Sequence, residues 1–179
     1  MPVRIRTSAC PMGFTTPLRL VPAPLTPAAF AAYGTVLQAP GGAGRSINGG
    51  TARRFDLVAD LQLHSHGGHA TLAIFSAQAR RFPHTVDELE RHALASQSFV
   101  PLGRRRFVLV VAPPGPAPEA HQLAAFVTNG EQGVTLAPGT WHHALLAVDA
   151  GDFVVVERVA PKADCDEHRL ARPGLVEFG

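Results

Sequence analysis

The sequence has only two cysteines, Cys10 and Cys165, and they stand far apart. That excludes a disulfide framework and any cysteine-based metal spacing. It also makes the cytoplasm, a reducing compartment, the expected location. No apolar run reaches the ~20 residues needed to span a bilayer, so no membrane partner is expected. Behind Arg4 and Arg6 comes Thr7-Ser8-Ala9-Cys10-Pro11 in place of an apolar leader core, so no signal peptide is expected. Residues 1–16 are expected to form a flexible tail and 17–179 a single domain. Excess charge is scarce too, at +2 for the whole chain. Basic residues do not alternate with aromatics, and Arg104-Arg105-Arg106 sits beside Gly103 at an expected turn. A nucleic-acid partner is therefore excluded. The Gly-rich stretch Arg45–Phe55 lacks the strand and helix that flank a phosphate loop.

Hydrophobic residues make up 46% of the sequence and charged residues 17%, enough for a substantial core. Thr26-Pro27 predicts the start of a short helix, with Thr as N-cap and Pro at the first helical position. Gly34 ends it. Short strands are expected at Leu18–Val21, Ala70–Phe75, Arg106–Val111, Leu123–Thr128 and Phe153–Val159. Asn129-Gly130 reads as a hairpin turn. The polar tail from Pro161 is expected to wrap the outside. Many short strands between turn signals predict a mainly β sandwich or barrel with a few short helices.

One stretch organises the second half. Gly133 is followed by Pro138-Gly139 and then His142. Pro-Gly suits the two central positions of a type II turn, and the strand that leaves it carries His142 and His143 on opposite faces. The second informative stretch is Phe82–Leu94. Thr85 and Glu88 can cap a short helix. A strand here would instead put Glu88, Glu90 and His92 on one face and Arg91 on the other. Asn48 and Arg54 lie beside turn glycines and suit the grip of a small acid; an ordinary exposed hairpin turn fits them equally. His64, His66 and His69 flank Gly67-Gly68 and are expected to be solvated turn residues.

Two sets of residues resemble the cupin motifs in spacing. Glu90, His92 and Gln97 occupy the first, and Gly133, Pro138-Gly139 and His142 the second. The resemblance implies a cupin-like double-stranded β-barrel, or jelly roll, in which these polar side chains converge. Glu90 stands where many cupins have His, and Gln97 where they have Glu. The pocket is therefore either metal-free or holds a divalent ion on Glu90, His92, Gln97 and His142; the metal-free form is favoured because a neutral amide is a weak ligand.

Several further pieces, Glu88-Leu89-Glu90-Arg91-His92, Gln97-Ser98-Phe99-Val100-Pro101, Thr128-Asn129-Gly130-Glu131-Gln132-Gly133 and Trp141-His142-His143, together resemble the ureidoglycolate lyase family. Ile47-Asn48-Gly49-Gly50 with Arg54, and Asp164-Cys165-Asp166, fit it as well. Ala144 departs, since the family usually has Pro there. The resemblance implies a homodimer that splits (S)-ureidoglycolate into glyoxylate and urea during allantoin breakdown in purine degradation. The substrate is a hemiaminal, so the site needs a base, an acid, a carboxylate holder and donors for the amide. His92 or His142 would be the base, with Glu90 orienting it or serving as base itself if burial raises its pKa. Gln97 and Asn48 would bind the ureido group and Arg54 the carboxylate. Two alternatives are a metal-dependent cupin dioxygenase or isomerase acting on another small hydroxy acid, and a non-catalytic cupin that binds a small acid.

Overall fold

The structure, a computed structural model, describes residues 16–179. The expected tail and Cys10 thus lie outside the described residues, apart from residue 16. Along the chain the strands are β1 (Leu18–Leu20), β2 (Ala23–Pro24), β3 (Gly34–Leu37), β4 (Arg45–Ile47), β5 (Ala52–Arg54), β6 (His69–Ala77), β7 (His84–Arg91) and β8 (Gln97–Pro101). They continue as β9 (Phe107–Ala112), β10 (Ala124–Val127), β11 (Gly133–Leu136), β12 (Trp141–His142), β13 (Leu146–Ala147), β14 (Gly151–Val159) and β15 (Asp166–Val176). The one α-helix among the described residues, α1, is Pro27–Phe30. Thr26 caps it as expected, its Oγ1 accepting the Ala29 N–H at 3.2 Å.

Two curled sheets build the expected cupin-like fold. The first has the order β1-β15-β7-β12-β9-β10-β2, with β13 also on β9; the second has the order β3-β11-β8-β14-β6. β9 explains their packing. All six of its residues are buried. Phe107, Leu109 and Val111 join Phe99, Val134, Phe153 and Val155 of the second sheet in one core. Val108, Val110 and Ala112 point the other way, into a second core with Val86, Leu89 and Val176. A strand apolar at every position is what burial on both faces demands.

The Phe82–Leu94 region is the strand β7, not a capped helix. Its pairing with β12 and β15 settles the choice, because the ladder offers the backbone more bonds than one helical turn. Asn129-Gly130 is not a hairpin turn. β10 belongs to the first sheet and β11 to the second, so the segment is a corner between sheets. Asn129 Oδ1 accepts the N–H groups of Glu131 (2.9 Å) and Gln132 (3.2 Å), which bends the chain there. The polar tail is also corrected. From Asp166 it is an eleven-residue strand that pairs with β7 and, in parallel, with β1. Its polar side chains face solvent while Leu170 and Val176 are buried, and Pro173 lies inside an irregular stretch of the ladder.

Candidate active site

Pairing between β7 and β12 sets Glu90 directly opposite His142. The Pro138-Gly139 turn places β12. Thr140 N–H donates back to the Ala137 carbonyl at 3.1 Å, and Gly139 has a φ of +80°, as a type II turn requires. Gly139 N–H also donates to the His92 carbonyl at 2.7 Å. The turn of one motif is thereby tied to the histidine of the other.

One ligand-capable atom each from Glu90, His92 and His142 lies within 4.8 Å of the other two. His142 is 2% exposed and Glu90 is half-buried. The His92 and His142 rings stand 5.6 Å apart. Each imidazole is oriented by a backbone carbonyl. His142 Nδ1–H donates to Thr140 O at 3.0 Å, and His92 Nδ1–H donates to Asp164 O at 3.0 Å. A carbonyl only accepts, so Nδ1 carries the proton in both rings. Both Nε2 atoms then face the cluster, buried and without a hydrogen-bond partner. His142 Nε2 is 3.4 Å from Glu90 Oε1.

When the His142 ring also carries a proton on Nε2, its hydrogen bond and charge hold the Glu90 carboxyl below its ordinary range, outweighing the opposite pull of burial. The expectation that burial would raise Glu90 into a neutral-pH base is therefore not met. Glu90 is a fixed anion. Cys165 Sγ lies 3.8 Å from Glu90 Oε2. Burial, and then the charges of Glu90 and Glu167, push this thiol up to about 11. It is not a thiolate near neutrality, and a thiol nucleophile is not available here.

Gln97 lies on the second sheet, on the same face as the core residue Phe99. Its Nε2 donates to Glu157 Oε2 at 2.9 Å, while its Oε1 is buried without a partner. Asn48 and Arg54 are not brought to the cluster. They sit in the β4–β5 hairpin, which pairs with no other described strand. Both are exposed, and Arg54 pairs with Asp56 at 2.6 Å. The His64–His69 stretch forms a short 3₁₀ turn and an exposed approach to β6, as expected.

Glu157 is absent from the sequence reading, and Asp164 enters it only as part of the Asp164-Cys165-Asp166 family match, with no role assigned. Glu157 was visible as the acid that follows Phe153 and Val155 at alternate positions of an apolar strand. Asp164 left no such signal. It lies next to β15, and it meets His92 only through the fold. Its Oδ1 accepts Ala93 N–H at 3.0 Å and its Oδ2 accepts Leu94 N–H at 2.9 Å. Two residues on, Asp166 holds Arg91 at 2.8 Å, and Arg91 lies 4.5 Å over the Trp141 ring. The 164–166 segment thus clamps the end of β7 beside β12.

These donors suit a divalent cation. Two imidazole nitrogens, with their far nitrogens locked by carbonyls, and one ionised carboxylate converge.

The family model for ureidoglycolate lyase matches residues 17–177. This chain belongs to the ureidoglycolate lyase family. It is 44% identical to the ureidoglycolate lyase of Azotobacter vinelandii over 146 residues, 81% of this chain and 88% of that one. It is 43% identical to the ureidoglycolate lyase of Pseudomonas syringae pv. syringae over 159 residues, 88% of this chain and 94% of that one. With the ureidoglycolate lyase of Burkholderia mallei it shares 43% over 148 residues, 82% and 86% of the two chains. The match to the family takes in every residue of the cluster and of the 164–166 clamp. No helix among the described residues is long and apolar enough to cross a membrane.

Proposed function

We propose that this enzyme cleaves (S)-ureidoglycolate to glyoxylate and urea in the degradation of allantoin. The observation that carries the reading is the pair of inward Nε2 atoms beside an ionised Glu90, in a chain of this family. Elimination from a hemiaminal needs one proton removed from the hydroxyl oxygen and one delivered to the leaving nitrogen. The C–N electron pair goes to the urea nitrogen as the C=O bond forms. His92 Nε2, which is buried with no hydrogen-bond partner, takes the hydroxyl proton. His142 delivers a proton to the urea nitrogen, and Glu90 at 3.4 Å compensates the positive charge that ring carries when protonated. Gln97 binds the ureido group through its free Oε1. Asn48 would add a hydrogen bond to the ureido group through its hairpin.

A divalent ion would be held by Glu90, His92 and His142 with Gln97, and when bound it polarises the hydroxyl and carboxylate oxygens and removes the imidazoles from proton transfer. The test is racemic ureidoglycolate incubated with protein, with and without EDTA. Equal glyoxylate and urea, no ammonia and half the substrate left are expected. Release at the spontaneous rate in both chelated and metal-supplemented samples would refute the lyase reading. Activity lost on chelation assigns the donors to an ion; activity kept assigns them to proton transfer.

The enzyme works as a cytoplasmic homodimer. The exposed free Cys165 agrees with a reducing compartment. β6 supports the dimer: it is nine residues long, ends its sheet, and exposes Leu72 at 72% and Ile74 at 54% on one face. An apolar edge without a charge calls for a cover. Replacing Leu72 and Ile74 together by Glu is expected to give a monomer in sedimentation velocity. A dimer that survives the double change would place the interface elsewhere.

A further inference from the structure

A cavity of about 560 Å³ opens beside the cluster, with His66, Arg158, Lys162, Asp164, Cys165 and Asp166 in its wall. Cys165 is the link, since its Sγ also lies 3.8 Å from Glu90 Oε2. The two cations and two carboxylates of this wall balance in number but do not pair with one another. Asp164 is engaged by the N–H groups of Ala93 and Leu94, and Asp166 by Arg91. Neither Arg158 nor Lys162 has an acidic partner within ion-pair distance among the described residues.

Arg158 is held in place by main-chain carbonyls. Its Nε donates to Ser65 O at 2.8 Å and its Nη2 to His66 O at 3.2 Å. Nη1 is buried with no partner. Gly68 lets the backbone approach the guanidinium, because a Cβ there would overlap Arg158 Nε. The turn that contains His66 thus has a use that its exposed histidines did not reveal: it fixes an arginine. A guanidinium stays charged at all working pH values and matches the planar fork of a carboxylate.

We infer that this cavity is a carboxylate subsite, in which Arg158 and Lys162 take the carboxylate of ureidoglycolate and retain that of glyoxylate. The inference rests on the lyase reading for its ligand but not for its chemistry, which is the binding of a small monocarboxylate. It replaces Arg54, whose guanidinium already pairs with Asp56.

Lys162 is the only lysine in the sequence. Reductive methylation with ¹³C-formaldehyde therefore labels one side chain besides the N-terminus. Glycolate, which has the carboxylate and hydroxyl but no ureido group, is expected to move the Lys162 methyl signal saturably in NMR. Arg158→Gln is expected to weaken that titration by roughly tenfold or more, as loss of a charged hydrogen bond does. Because Arg158 also pins a turn, Lys162→Gln serves as a variant that leaves the fold alone. It is expected to raise KM for ureidoglycolate and the inhibition constant of glycolate together, with kcat little changed. An unmoved methyl signal overturns the subsite, as do unchanged KM and inhibition constant in the lysine variant. Phosphate binding as tightly as glycolate overturns its assignment to carboxylates. If the wild-type protein releases no glyoxylate, the lyase reading fails alone, and the glycolate titration still reads the cavity.

Discussion

Replacing His92 by alanine is expected to lower the turnover number by ~10²–10⁴-fold while the chain stays folded, the range one well-placed proton-transfer group supplies. The fold should tolerate the change. His92 lies just beyond the end of β7, is partly exposed, and makes one side-chain hydrogen bond, to the Asp164 carbonyl. The Gly139 bond that ties the turn to this residue goes to the His92 main chain, which alanine keeps. The loss should appear in kcat more than in KM, because Nε2 faces the reacting centre. Glu90 does not substitute for it. Its carboxyl is held below the ordinary range, so at neutral pH it is an anion of low basicity. The drop is also expected with an ion bound, where His92 would be a ligand. Steady-state kinetics, with a thermal melt to check the fold, make the measurement. Unchanged turnover would remove His92 from the mechanism.

The cluster was legible before the fold because its constraints are local. Pro138-Gly139 fixes a turn from two residues, and alternation then fixes which of His142 and His143 faces inward. The structure agrees on both: His142 is buried and His143 packs against His84, with the two rings 5.5 Å apart. The strand at β9 was legible too, from its unbroken apolar run, although its burial on both faces appears only in the fold. What could not be read depends on partners distant in sequence. β15 looks polar because only Leu170, Gly174 and Val176 among its residues are buried. Its place is set by β7 and β1, which lie far upstream. Asn129-Gly130 carries the local chemistry of a turn, but local chemistry does not say whether the next strand returns beside the last or crosses to the facing sheet. Asn48 and Arg54 were chosen for residue type beside glycine, and residue type does not say which way a hairpin leans.

Asp164→Ala is expected to lower kcat by roughly 10–100-fold, the usual effect of losing an outer partner of a functional histidine. Asp164 touches no reacting atom, so it is a positioning residue. Its carboxylate accepts two successive N–H groups, those of Ala93 and Leu94, and this anchors the segment whose carbonyl meets His92 Nδ1. Without the carboxylate the segment drifts, the carbonyl leaves Nδ1, and the proton on the ring is no longer confined to that nitrogen. Nε2 then carries it for part of the time and cannot accept the hydroxyl proton. The ¹⁵N shifts of the His92 ring separate this from general loosening. The wild-type ring should show the Nδ1–H form, and the alanine variant a mixture. Asp164→Asn keeps an amide oxygen for one of the two N–H groups and is expected to restore much of the rate and the single tautomer. A fall in kcat with the His92 tautomer unchanged would mean that Asp164 acts on stability alone. Then the clamp on β7 would rest on the Asp166–Arg91–Trp141 stack, which the substitution leaves in place.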